Sequence, residues 1–372
     1  MKCILHIGTE KTGTTSIQDF LQINNKNLIR QNISSLNRGH YIESNRLLVA
    51  AFQEKENNPY FDIHKITEPT SYIKKYKEDF KYNVRTNHQA SNIMIISSEH
   101  FHSLLTKREE INNLKVFLET IFEEIKIICY FREQSQVQLS RYSTSLRVGH
   151  NYDLNKYFSS INNNAHYFNY KVFFSKWHDN FGKNNLIPRI FSKSHFQDEY
   201  LLKDFITQCS NEIDFKSLIK DKRSSNSKFN LKQIAALKAL NSLTKKNKIN
   251  LKNKKILNKL IMNQDFGIDS GYLLHPRSSQ IYEICNEQNI IFFKEFFGSE
   301  ENLFKELHIN ESDAQDRIDI IQKEFEPTFF EYFNLILSKK ILDINKHSAS
   351  KIINNDKIEY KLINYLHHDA GE

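Results

Sequence analysis

The feature that most constrains the fold is an alternation of short apolar runs with helix-like patterns over roughly the first 200 residues. The apolar runs are rich in β-branched residues, and four of them are predicted to be strands: Cys3–Ile7, Ile93–Ile96, Ile125–Phe131 and Leu186–Phe191. This alternation is typical of an α/β domain with a parallel sheet. We therefore predict a three-layer α/β fold in which helices flank a central parallel sheet.

The rest of the chain is predicted to be mainly helical. Residues 1–210 would form the α/β core, and a polar, Tyr-rich stretch at about 32–91 would be a helical insertion in it. Residues 211–310 carry amphipathic helix patterns and would be a helical part of the same domain. Residues 311–372 become charged and Asn-rich, which favours a helical or partly flexible tail.

The apolar segments and the cysteines bear on the cellular location of the protein. No run approaches the roughly 18–20 apolar residues that a membrane-spanning helix needs, and the N-terminus lacks a signal-peptide pattern, so we expect a cytoplasmic protein. The four cysteines form no metal-binding or disulfide pattern and are predicted to be reduced core residues: Cys3, Cys129, Cys209 and Cys285.

The net charge of +8 suits an anionic ligand. Lysine is nevertheless spread along the whole chain, and no basic run with interleaved aromatic residues occurs. Nucleic acid is therefore not an expected partner.

The loop after the first predicted strand carries the clearest chemical signal. It reads Gly8-Thr9-Glu10-Lys11-Thr12-Gly13-Thr14-Thr15-Ser16 and leads into a helix pattern. Glycines let a backbone wrap around an anion, and the N–H groups of a helix N-terminus and Thr hydroxyls donate to it, so the loop is predicted to bind phosphate. A Walker loop has its lysine directly after the second glycine, whereas here Thr14 follows Gly13 and Lys11 precedes it. ATP or GTP use is therefore disfavoured.

This displaced lysine resembles the 5′-phosphosulfate loop of sulfotransferases, which use 3′-phosphoadenosine 5′-phosphosulfate (PAPS). The usual family form is close to PKTGTTxL, and Glu10 stands where proline is common. The resemblance implies a P-loop-like fold with Lys11 on the phosphosulfate bridge. It also implies that the 5′-phosphate is held by Thr12, Gly13, Thr14, Thr15 and Ser16.

A second motif begins where the third predicted strand ends. Arg132 leaves the strand, and Ser140 follows in the helix-like run Gln134–Leu146. This spacing resembles the 3′-phosphate site of the same family, and a guanidinium together with a hydroxyl suits a dianionic phosphate. The two motifs together imply one co-substrate, PAPS, with PAP as product.

The end of the second predicted strand offers candidates for a general base. Polar, ionisable residues follow the strand, at the edge of a parallel sheet where ligands bind. We predict that Glu99 takes the acceptor proton. Carbohydrate sulfotransferases resemble this arrangement in using a glutamate, whereas the cytosolic small-molecule branch uses a histidine, so His100 and His102 remain alternatives. Glu99 has two purely structural alternatives, as a helix cap or as a partner of Lys11.

The acceptor and the remaining ligands are less defined. Lys222 and Arg223 lie where the family has a segment that closes over the nucleotide, although a solvated linker fits them equally well. The resemblance to bacterial polysaccharide sulfotransferases implies a glycan or another hydroxyl or amine acceptor. This chemistry requires no metal, and the oligomeric state stays open. The alternatives are a P-loop kinase for a small metabolite and a non-catalytic nucleotide-binding protein.

Overall fold

The computed structural model describes residues 1–36, 45–54, 58–88, 90–163, 165–220, 229–245, 257–258, 261–262, 273, 275–306 and 310–323. The fold is built on a five-stranded sheet whose paired strands are all parallel. The strands are β1 (Lys2–His6), β2 (Ile33–Ser35), β3 (Ile93–Ser97), β4 (Glu124–Phe131) and β5 (Leu186–Ile190). Their order across the sheet is β2-β3-β1-β4-β5. The predicted α/β fold with a central parallel sheet is confirmed.

Four of the five strands lie where the sequence predicted them, and the fifth does not. β2 is a three-residue strand inside the stretch predicted to be a helical insertion, and among the described strands it pairs with β3 alone, at the edge of the sheet. Such a short strand contains too little alternation to be recognised from its sequence.

Helices make up most of the remaining described chain. Their bounds are α1 (Thr14–Ile23), α2 (Asn25–Ile29), α3 (Arg46–Ala50), α4 (Pro59–Ile63), α5 (Pro69–Asn87), α6 (His100–Leu104), α7 (Arg108–Glu119), α8 (Gln134–Arg147), α9 (Leu154–Ser159), α10 (Ala165–Phe168), α11 (Tyr170–Phe181), α12 (Leu201–Cys209), α13 (Leu231–Lys245), α14 (Arg277–Phe297) and α15 (Glu311–Lys323). The helix patterns at 134–146, 201–209 and 231–237 therefore correspond to α8, α12 and α13.

Alternate residues of the strands enter two hydrophobic cores, one on each face of the sheet. Cys3 and Leu5 of β1 belong to a core that includes residues of α5, α7, α11 and α14, while Ile4 belongs to a second core with residues of α1 and α12. Burial on both faces explains why the strands read as continuous apolar runs. Because α1 is fixed to the sheet by buried Ile17 and Phe20, the loop that precedes it is held at both ends.

The chain divides into two compact units. The first consists of Met1–Tyr142, Asp153–Lys228 and His275–Glu311, and it contains the whole sheet. The second consists of Ser143–Tyr152, Phe229–Leu274 and Ser312–Glu372. Within the second unit, Asn241 Nδ2 donates to the carbonyl oxygens of Leu146 and His150, at 2.8 and 2.9 Å. The linear domain boundaries given above stay a prediction.

Two further expectations concern the cysteines and the membrane. All four cysteines are buried and free, as predicted for reduced core residues. Across the part of the chain that the structure describes, no helix combines the length and the apolar character needed to cross a bilayer. Most of the predicted tail, from residue 324 onward, lies outside the described residues.

Candidate functional site

The three motifs meet at the carboxyl edge of the sheet. β1 lies between β3 and β4, and its last residue, His6, is level with Ser97 of β3 and Ile128 of β4. The segments that leave β1, β3 and β4 therefore start side by side. In open parallel sheets, ligands bind at this edge, where successive connections depart in opposite directions.

The loop from Gly8 to Gly13 is fastened to the end of β4. Thr9 N donates to Tyr130 O at 2.8 Å, and Tyr130 N donates to Gly8 O at 2.7 Å, which extends the strand pairing beyond β1. The buried Thr12 hydroxyl donates to Thr9 O at 2.6 Å. Thr12 therefore uses its hydroxyl hydrogen to close the loop.

The end of the loop has the geometry of an anion site. Gly13 immediately precedes α1 in a left-handed conformation, with φ of 74°. Thr14, Thr15 and Ser16 form the first turn of α1, and Gly13, at the N-cap position, has no side chain to cap this helix. Backbone N–H groups in a first helical turn lack intrahelical acceptors and favour an anionic ligand. Lys11 also has a positive φ, of 67°, a strained conformation that is often found at functional sites.

Gly13 also meets a steric requirement. A Cβ at this position would lie 2.5 Å from Leu201 Cδ2 and 3.1 Å from Phe191 Cε2. Gly298 has almost the same backbone angles, but a Cβ there would meet nothing within 4 Å. We expect Gly13→Ala to lower the free energy of unfolding by about 1 kcal/mol more than Gly298→Ala, since only the first substitution overpacks its surroundings. Urea denaturation of both variants tests this, and equal losses would contradict it.

Arg132 joins the second motif to the first. Its Nη1 donates to Lys11 O at 3.1 Å, and its guanidinium lies over the Phe191 ring, 5.4 Å from the centroid. Burial lowers the pKa of Arg132, although an arginine remains a cation at neutral pH. Within the described ranges, no carboxylate forms an ion pair with it. The loop therefore has a partly buried positive charge beside it, with Glu133 near enough to act on it electrostatically.

Ser140 lies on the helix that follows Arg132. Gln136 Oε1 accepts from Arg132 Nη2 and Nε at 3.3 and 3.4 Å, and Ser140 is one helical turn beyond Gln136 on the same face. The Glu133 side chain caps the start of this helix: its carboxylate accepts hydrogen bonds from Ser135 N and Gln136 N at 2.8 and 3.0 Å. Burial raises the pKa of Glu133, and these hydrogen bonds oppose that shift.

Glu99 lies beside the loop on the β3 side. Its Cα is 3.4 Å from the position that a Cβ on Gly8 would occupy. Glu99 is at the N-cap position of α6, but its side chain makes no capping hydrogen bond. Its Oε2 instead accepts from Gln18 Nε2 of α1 at 2.8 Å. The Glu99 side chain therefore does not act as the helix cap that was one of its structural alternatives.

The two histidines near Glu99 differ in their surroundings. His102 is buried; its Nδ1 accepts from Glu10 N at 3.4 Å, and its Nε2 is 3.1 Å from Tyr167 O. Burial lowers the pKa of His102 to about 3, so the ring is neutral, with both nitrogens engaged. This supports a structural role for His102. His100 is partly exposed at the start of α6.

Glu10, the departure from the family loop, is integrated into the fold. Its Oε2 accepts from the Tyr167 hydroxyl at 2.7 Å. Burial acts to raise the pKa of Glu10, but the Tyr167 hydrogen bond and other contacts outweigh it, and the net shift is downward. In place of the stiffness that a proline would give, the hydrogen bond between Glu10 and Tyr167 holds the loop in position.

The structure thus brings Lys11, Gly13, Arg132 and Glu99 to one edge of the sheet. Lys222 and Arg223 lie outside the described residues. Sequence reasoning missed Gln18 and Gln136; the only signal was the helical spacing of Gln18 from Thr14 and of Gln136 from Ser140. Among the residues described, no group of three or more His, Cys, Asp or Glu is arranged to hold a metal ion.

Among solved structures, this chain is similar to the crystal structure of a sulfotransferase from Alicyclobacillus acidocaldarius. The two are 11% identical, the match covers 68% of this chain and 98% of the other, and the TM-score is 0.38. No protein-family model matches, and no curated protein matches. This similarity is too low to assign the chain to a family.

Proposed function

We propose that this protein transfers a sulfuryl group from PAPS to a hydroxyl or amine of an acceptor, with a glycan as the acceptor class. The observation that carries the proposal is the 3.1 Å hydrogen bond from Arg132 Nη1 to Lys11 O. Two motifs 121 residues apart in sequence, each resembling one phosphate site of PAPS, meet at this contact.

The site would bind PAPS through complementary charges. The first turn of α1 and the loop N–H groups would hold the 5′-phosphate, and Arg132 with Ser140 would hold the 3′-phosphate. The positive charge of Arg132 has no carboxylate partner among the described residues, which suits a dianionic ligand. The glycan acceptor rests on the sequence resemblance alone.

The reaction would be an in-line displacement at sulfur. The acceptor oxygen or nitrogen forms a bond to sulfur while the bond from sulfur to the 5′-phosphate oxygen breaks, leaving PAP. Lys11 would stabilise the charge that develops on the leaving phosphate oxygen. Glu99, which lies across the loop at Gly8, would accept the acceptor proton.

The experiment that tests the proposed function is calorimetry of the full chain with PAP, AMP and ATP in parallel. We expect PAP to bind at least about tenfold more tightly than AMP, because AMP lacks the 3′-phosphate that Arg132 would contact. Tighter binding of ATP with Mg²⁺ would support the P-loop kinase alternative. PAP binding without sulfate transfer to any acceptor of a glycan panel would indicate a non-catalytic nucleotide-binding protein.

Arg132→Ala is expected to remove the preference for PAP over AMP. The substitution deletes the cation next to the proposed 3′-phosphate position, which a charge-assisted hydrogen bond would otherwise stabilise by about 1.5–3 kcal/mol. Calorimetry with both nucleotides measures the effect without an acceptor. Gln136→Ala is the control, since it removes a neighbour of Arg132 but keeps the charge. If Arg132→Ala discriminates as the unmodified protein does, the 3′-phosphate binds elsewhere.

A further inference from the structure

The carboxylate of Glu99 is held by a side chain that neither nucleotide motif includes. Gln18 Nε2 donates to Glu99 Oε2 at 2.8 Å and also lies 3.4 Å from Ser97 Oγ. The side-chain amide has two hydrogens, so one nitrogen can serve both acceptors. The reverse amide orientation would place the Gln18 oxygen against a carboxylate oxygen, and the contact with Glu99 therefore fixes the orientation.

The fold fixes the position of Gln18 itself. It lies one turn beyond Thr14 on α1, and long helical side chains point back toward the helix N-terminus, here toward the ends of the strands. The neighbouring Ile17 and Leu21 are fully buried in the core beneath α1. Gln18 therefore stands on a rigid element that also forms the proposed phosphate site.

The hydrogen bonds continue from Gln18 into the sheet. Ser97 Oγ lies 2.8 Å from Nδ1 of His6, the last residue of β1. His6 is completely buried, and burial lowers its pKa to about 3, so it is a neutral partner. The chain of contacts runs from Glu99 through Gln18 and Ser97 to β1, and it joins the proposed base to the strand that carries the nucleotide loop.

We propose that Gln18 is a positioning residue, whose amide orients the Glu99 carboxylate for accepting the acceptor proton. This inference deepens the proposed function and rests on it for the catalytic role of Glu99. The hydrogen bond from Gln18 Nε2 restricts the rotamers of the Glu99 side chain. Without it, Glu99 remains in place but its carboxylate gains rotamer freedom.

The test compares Gln18→Met with Gln22→Met. Methionine has a similar length but no N–H, and Gln22 lies one turn farther along α1, away from Glu99. We expect turnover of sulfate transfer to fall roughly fivefold to tenfold in Gln18→Met alone, because a carboxylate that is no longer oriented accepts the acceptor proton less efficiently. PAP affinity should stay within about twofold in both variants. Gln22→Met makes the same change of side chain on the same helix and therefore controls for the substitution itself.

A second readout needs no turnover and separates this inference from the proposed function. In full chain labelled with ¹³C at glutamate carboxyl groups, the Glu99 resonance at neutral pH should shift in Gln18→Met but not in Gln22→Met. The same Glu99 chemical shift in both variants would overturn the positioning role. If the shift occurs but the protein binds no PAP, the contact is real and the sulfotransferase proposal fails.

Discussion

Lys11→Ala should lower sulfate turnover roughly a hundredfold or more while PAP affinity changes less than about tenfold. The reason is that the lysine charge is most useful when negative charge develops on the leaving 5′-phosphate oxygen. PAP already carries its full charge and would be held by the rest of the loop and by Arg132. Single-turnover transfer from PAPS and calorimetry with PAP measure the two effects separately.

The backbone of Lys11 provides a control for this prediction. Lys11 has a φ of 67°, and alanine is strained there in the same way because it also has a Cβ. Lys11→Ala therefore keeps the conformational cost and removes the side chain. Lys11→Met, which preserves most of the chain length, should lose a similar amount of turnover because it also lacks the charge. Near-normal turnover in either variant would remove Lys11 from the catalytic role.

The strands and the loop between β1 and α1 could be predicted because their signals are local. Apolar runs identified β1, β3, β4 and β5 to within about two residues, and glycine spacing identified the loop. The sequence does not reveal which strands are neighbours. The contact between Arg132 and Lys11 exists because β4 pairs with β1, and two segments 121 residues apart thereby become adjacent.

The contacts that support the site were beyond sequence reasoning for the same physical reason. Glu10 and Tyr167, 157 residues apart, form a hydrogen bond, and nothing in the sequence around Tyr167 marks it. Gln18 and Glu99, 81 residues apart, meet only because α1 packs over the sheet next to β3. Side-chain partners of this kind depend on tertiary packing, which a periodic pattern does not encode.

Glu99→Gln is the second change from which we expect a large effect, a fall in transfer of roughly a hundredfold or more with PAP binding intact. Glutamine has nearly the shape of glutamate, and its carbonyl oxygen can still accept the hydrogen bond from Gln18 Nε2. The substitution therefore removes the proposed proton acceptor and little else. Transfer to a panel of glycan acceptors, together with PAP calorimetry, measures both quantities.

The histidine variants decide whether the carboxylate is the base. His100→Asn should be mild, because Glu99 still accepts the proton. His102→Asn should reduce stability instead, since buried His102 bonds Glu10 N and lies 3.1 Å from Tyr167 O. If His100 were the base, the order of the Glu99 and His100 effects would reverse, and the acidic limb of the pH–rate profile would lie near the ordinary histidine value of about 6.5. A fully active Glu99→Gln enzyme would leave Glu99 with a structural role only, as the partner of Gln18.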